Sequence, residues 1–233
     1  HASTTLVFST AYPNNPASMF GHTFLRINAQ EQTGRKKQDL LDYGLSYAAQ
    51  VPDDENNFSF IWFGLTGGYV GTFSAVPYYA KVQEYNNSES RDLWEYDLDL
   101  NQDETWWLLA NVWEVEVNGY SKYFFFDENC SYEILALLEV AKPTWEVAQY
   151  DFHMIPGESI KKVARIPGAV REVKFRPSAF RKLTAKGERL NSAERAAFRA
   201  VLEGKALEHA SVAVLDTAAE YFFYRKQQEG GHL

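Results

Sequence analysis

The stretch FDENCSYEIL, residues 126–135, contains the one cysteine of the chain, Cys130, set between the polar run Asp127-Glu128-Asn129 and an apolar run from Ile134 to Val140. An asparagine just ahead of an apolar helical run is a natural N-cap, which puts the thiol in the first helical turn. Unpaired backbone N–H groups and the positive end of the helix dipole favour a thiolate there. Most lone cysteines are small buried hydrophobes. The position gains chemical meaning only if the rest of the chain supplies partners for a nucleophile.

A nucleophilic thiol needs a base. The histidines are His1, His22, His153, His209 and His232. His1 and His232 are terminal, His209 lies in a charged helical segment, and His153 reads as a packed or turn residue. His22 stands apart. It follows a Pro/Asn-rich loop and a glycine and opens HTFLRI, residues 22–27, whose alternation sends His22, Phe24 and Arg26 one way and Thr23, Leu25 and Ile27 the other. A strand end at a loop mouth is a rigid place for a general base. A third group should orient the imidazole. If residues 23–27 pair antiparallel with 40–48 about a centre near Gly34, His22 falls beside Gly44 to Ser46. Ser46 is then the nearest polar side chain, with Asp42 and Tyr43 less well placed. A one-residue slip would flip every side chain to the other face.

Further out, TTLVFST (4–10) reads as a strand and DLLDYGLSYAA (39–49) as the return strand of a hairpin. Residues 58–80, rich in aromatics and glycine, read as a short helix or strand, a Gly-rich turn and another strand. RDLWEYDLDL (91–100) reads as a strand, and Arg91 and Asp92 as an ion pair or as cleft residues. Asn101 and Glu104 have the spacing of a helix N-terminus. KYFFFDEN leads into the cysteine helix as strand or turn. From Ser178 onward the chain is Ala/Arg/Lys/Glu-rich and helical, with Ser192 as an N-cap. These patterns predict an α+β fold in which a small antiparallel sheet packs on the cysteine helix, with extra helices at the C-terminus. They predict a core domain over 1–170 and a helical extension packed on it over 171–233.

Composition narrows the function. The net charge of −8 speaks against nucleic acid as a partner. No apolar run of about 18 residues is present, so no membrane span is expected. Aromatic residues make up 15%, enough to line an apolar cleft as well as a core. GLTGGYVG lacks the Lys-Ser/Thr ending of a phosphate loop, and no second cysteine or paired histidines suggest zinc, so no cofactor is expected. One cysteine cannot form an internal disulfide and does not choose a redox compartment. The chain opens at His1 and is read as mature or trimmed, any signal peptide being out of view.

Three separated motifs, SMFGHTFLRI, RDLWEYDL and FFFDENCSYEILALLE, occur in the order that resembles the bacterial Lnb N-terminal periplasmic domain family, over roughly residues 3–225. That family is similar to permuted NlpC-type, papain-like folds, in which a histidine on an early strand precedes a helix-capping cysteine, as His22 precedes Cys130. The resemblance implies a Cys/His site, a periplasmic or envelope location, and acyl-group chemistry on lipid acyl chains and lipoproteins. Founding members are lipoprotein N-acyltransferases with transmembrane segments, which this chain lacks. Related chains carry an asparagine near the second strand where this one has Ser46. The expected chemistry is attack of the Cys130 thiolate on a carbonyl, with His22 moving the proton and the oxyanion held by the Cys130 N–H with Asn129 or Tyr123. Two alternatives stand beside it: an NlpC-type amidase or peptidase acting on peptidoglycan fragments, and a non-catalytic envelope-binding module. Contact with a membrane surface is left open.

Overall fold

The alternation in HTFLRI forms strand β2 (His22–Asn28), which pairs antiparallel along its whole length with β1 (Ser3–Ser9), Ser9 opposite His22 and Ser3 opposite Asn28. The computed structural model describes residues 3–12, 20–29, 38–52, 54–119, 121–125, 129–149, 155–205 and 210–230. The expected turn centre at Gly34 and the histidines His1, His153, His209 and His232 lie outside these. After a 3-10 turn at Asp39–Leu41 comes β3 (Tyr43–Ala49), followed by α1 (Asn57–Thr66), β4 (Tyr69–Pro77), α2 (Tyr78–Lys81) and a π-helical segment, Val82–Ser88. Next are β5 (Leu93–Leu98), α3 (Gln102–Asn118), β6 (Ser121–Tyr123), α4 (Cys130–Ala141), α5 (Pro156–Ala164) and β7 (Val170–Arg176). The chain ends in α6 (Ala179–Arg189), α7 (Ser192–Leu202) and α8 (Val212–Gly230). The fold is α+β, but the sheet is larger than expected: among the described residues it has seven strands in the order β6-β4-β3-β2-β1-β5-β7.

The two faces of β2 meet different surroundings. Leu25 joins Leu6, Leu45, Tyr47 and Phe73 of the neighbouring strands, and Ile134, Leu135 and Leu138 of α4, in one buried apolar core. Each such side chain contributes roughly 1.5–3 kcal/mol when withdrawn from water, which fixes α4 on this face. Val7, Phe24 and Arg26 point the other way. Arg26 is 2% exposed, yet fully served. It donates to Glu95 and Asn28, both at 2.7 Å, lies 3.6 Å from the Asp42 carboxylate, and covers the Tyr78 ring at 5.1 Å. The Tyr78 hydroxyl donates in turn to Glu95 at 2.8 Å. A buried charge persists only with such company.

The chain separates into two compact units, one of His1–Lys81 with Trp94–Phe175, the other of Val82–Leu93 with Arg176–Leu233. A division after residue 170 would cut through β7, whose sequence VREVKFR is too charged to read as a strand. In the second unit, Lys186 of α6 bridges Asp216 and Glu220 of α8. Arg91 meets Glu89 at 2.8 Å, and Asp92 accepts from Arg181 at 2.7 Å and from the Ser178 N–H. The N-cap of α7 is Asn191, in a capping box with Glu194, one residue ahead of the expected Ser192.

The observed β2–β3 register is Leu25↔Leu45, Arg26↔Gly44 and Ile27↔Tyr43. Continued in step, it sets Ser46 across from Phe24 and Ala48 across from His22, a shift from the expected register that still leaves Ser46 on the face of His22. On the other face the Tyr47 ring crosses β4 at Gly71 to bond Ser121 of β6, Oη to Oγ 2.5 Å. A Cβ at Gly71 would lie 1.9 Å from the Tyr47 hydroxyl oxygen. Gly71→Ala should therefore lower unfolding stability by about 1–3 kcal/mol, as overpacking does, measured by denaturant titration; an unchanged midpoint would show that Tyr47 can move aside freely.

Candidate active site

Helix α4 begins at Cys130, as its sequence predicts. Asn129 has extended backbone and its side-chain oxygen accepts from the N–H groups of Ser131 and Tyr132. Its amide nitrogen donates to the Phe125 carbonyl at 3.1 Å. The cap thus stabilises the helix, typically by about 1 kcal/mol, and ties its start to the chain leaving β6. These bonds make Asn129 the N-cap of the helix. Residues 126–128, including Asp127 and Glu128, lie outside the described residues.

Cys130 is 3% exposed. Against it lies the phenol of Tyr123, the last residue of β6, which interacts with both the thiol and the backbone N–H of Cys130. Burial pushes the Tyr123 hydroxyl well above its ordinary range, and the adjacent thiol raises it further. It is therefore a neutral donor throughout the physiological range. Tyr123 is held by its ring, stacked on Tyr47 at 5.7 Å and edge-on to Phe125 at 6.1 Å.

A run of buried hydroxyls leads away from the sulfur. Ser131 Oγ lies 3.9 Å from Cys130 Sγ and donates to Thr23 Oγ1 at 3.5 Å. Thr23 Oγ1 lies 3.4 Å from Ser159 Oγ, which donates to the Pro156 carbonyl at 2.7 Å. Thr23, Ser131 and Ser159 are wholly buried. They join the start of β2, the first turn of α4 and the first turn of α5. Nothing local in the sequence signals this, because the three hydroxyls come together only through the fold.

His22 opens the same strand end, one residue from Thr23, as Cys130 is one residue from Ser131. Its ring stacks on Phe24 at 5.9 Å, so it follows the Phe24 and Arg26 side of β2, whereas Thr23 and Leu25 turn to α4. The two residues are thus brought to one end of the sheet, with the imidazole on the far side of the strand from the helix. Ser46 is 2% exposed, and its hydroxyl makes no hydrogen bond among the described residues. It is not an orienting partner of His22 in this structure. A polar cleft of about 630 Å³, lined by Asp99, Asn101, Glu104, Lys142 and Arg171 among others, lies elsewhere. Lys142 caps the opposite end of α4 from Cys130, roughly 18 Å away along a twelve-residue helix.

The model of a family described as Lnb N-terminal periplasmic domain matches residues 1–165. No curated protein and no solved structure gives a significant match. No helix among the described residues is long and apolar enough to cross a membrane.

The raised Tyr123 has a consequence for stability. An acid kept neutral by the fold contributes stability that is intact below its unfolded pKa, here 10.0, and is lost as pH rises toward the folded value. The thermal midpoint should fall more steeply above about pH 10 in the wild type than in Tyr123→Phe; identical alkaline limbs would mean that Tyr123 ionises as freely as an exposed tyrosine.

Proposed function

This chain belongs to the Lnb N-terminal periplasmic domain family and is periplasmic, and from that premise we propose that it is a thiol-dependent acyl-transfer enzyme with Cys130 as nucleophile and His22 as base. The observation that carries the reading is the placement of Cys130 as the first residue of a capped helix with the Tyr123 phenol against its thiol and N–H. The helix terminus favours the thiolate. In the proposed reaction the thiolate attacks the carbonyl of an ester or amide of a lipid or lipoprotein. The C–S bond forms and the tetrahedral oxyanion collects hydrogen bonds from the Cys130 N–H and the Tyr123 hydroxyl. The carbonyl–leaving-group bond then breaks and His22 returns the proton to the departing alcohol or amine. An amine or water attacks the thioester, and the thiol is regenerated. The imidazole would reach the sulfur around the end of β2 and not across the face of the sheet. The arrangement, a histidine strand preceding a cysteine helix, is read as a permuted papain-like core.

A second reading is favoured by the burial of Cys130, which suits an inert thiol in a binding scaffold. Reactivity separates the two. The rate of iodoacetamide alkylation of Cys130 should keep a plateau down to about pH 7 or lower in the wild type, and His22→Ala should shift the profile up toward the free-thiol value of about 8.5. One shared curve rising only above about pH 8 would remove the thiolate–imidazole pair and leave the scaffold reading.

A further inference from the structure

The segment between Glu55 and Lys81 contains no Asp, Glu, Lys or Arg. Its first half is α1, closed at one end by the Asn56 side chain accepting from Phe58 and Ser59, and at the other by Gly67 in the left-handed conformation, φ 70°. Phe58, Ile61, Trp62 and Leu65 recur at the spacing that makes one helical face. In a globular protein that face normally points to the core. Here it points to solvent: Phe58 is 79% exposed, Trp62 57%, Leu65 46% and Ile61 45%. The opposite side of α1 is the packed one. A Cβ at Gly64 would collide with the Phe125 ring, the Gly64 carbonyl accepts the Phe125 N–H at 2.9 Å, and Phe60 packs on Phe125 at 5.0 Å.

We propose that α1 is a membrane-docking element that inserts its Phe58–Ile61–Trp62–Leu65 face into the interfacial region of a lipid bilayer. Two observations choose lipid over protein, and a third sets the driving force. The face belongs to an uncharged segment, suited to acyl chains and the headgroup boundary, where tryptophan is favoured. Four side chains on a helix of about 15 Å fall far short of the twenty or more residues a side that a stable protein interface needs, so a second copy of the chain is a poor occupant. The net charge of −8 leaves apolar insertion, not attraction to anionic lipid, as the driving force. The docked helix is also coupled to the candidate site, because Phe125, which bonds Gly64, offers its carbonyl to the Asn129 cap of the Cys130 helix. The docking stands independently of thiol chemistry; that the docked lipid is also the acyl donor rests on the proposed function.

The test is co-sedimentation with vesicles of phosphatidylethanolamine and phosphatidylcholine, with and without phosphatidylglycerol, at low and high salt. The wild type should bind the zwitterionic vesicles with little salt dependence. Trp62→Glu should weaken binding at least tenfold, whereas Trp113→Glu on α3, at a still more exposed position (72%), should not. Circular dichroism melts should be unchanged for both, since neither side chain is buried. Cys130→Ser should bind as the wild type does, so that loss of acyl chemistry and loss of docking are read separately. Three outcomes would overturn the proposal: binding confined to anionic vesicles and abolished by salt, equal loss in the Trp62 and Trp113 variants, or no vesicle binding together with a dimer that Trp62→Glu dissolves.

Discussion

The side chain of Asn129 is the joint on which the candidate site depends. Its oxygen satisfies two N–H groups at the start of α4, and its nitrogen holds the Phe125 carbonyl. Those bonds set where the helix begins and therefore which residue occupies its first position. They also hold the end of the β6 segment against that first turn, the segment that brings Tyr123 to the thiol. The apolar core holds the rest of α4 against Leu25 and Tyr47, but apolar contact alone would tolerate a shift along the helix axis. The cap and the hydroxyls of Ser131, Thr23 and Ser159 are directional, and they fix the register.

The sheet divides its work between two faces. The α4 face is apolar apart from the hydroxyls of Thr4, Thr23, Tyr47 and Tyr123, which meet Thr105, Ser131, Ser121 and Cys130. The other face buries a guanidinium with two carboxylates, an amide and a phenol around it. Such a network adds little net stability but is costly to disturb. It ties Arg26 on β2 to Glu95 on β5, and so braces the strand whose first residue is His22.

Much of this was legible in the sequence where a local rule governs. Asn129 ahead of an apolar run predicted the start of α4, and Asn101 with Glu104 predicted the capping box of α3. The alternation in HTFLRI predicted the two faces of β2. The hairpin register depends on the turn centre, which the sequence does not mark, and the observed pairing continued in step sets Ala48, not Ser46, opposite His22. Strand β7 is hidden in the sequence because its charged residues conceal its place at the sheet edge. The hydroxyl run and the contact of Tyr123 with Cys130 depend on approaches between segments distant in sequence, and no periodicity reports those. The outward face of α1 shows the reverse problem. Its helical spacing is plain in the sequence, but spacing gives the face and not the direction in which it points.

The central claim is that Cys130 carries an acyl group in turnover. Intact-protein mass spectrometry after incubation with phospholipid vesicles measures this directly. The account predicts a mass increase of one fatty-acyl group, removed by neutral hydroxylamine as a thioester is, and absent in Cys130→Ser. An unmodified wild-type mass, or an adduct that persists in Cys130→Ser, would contradict it.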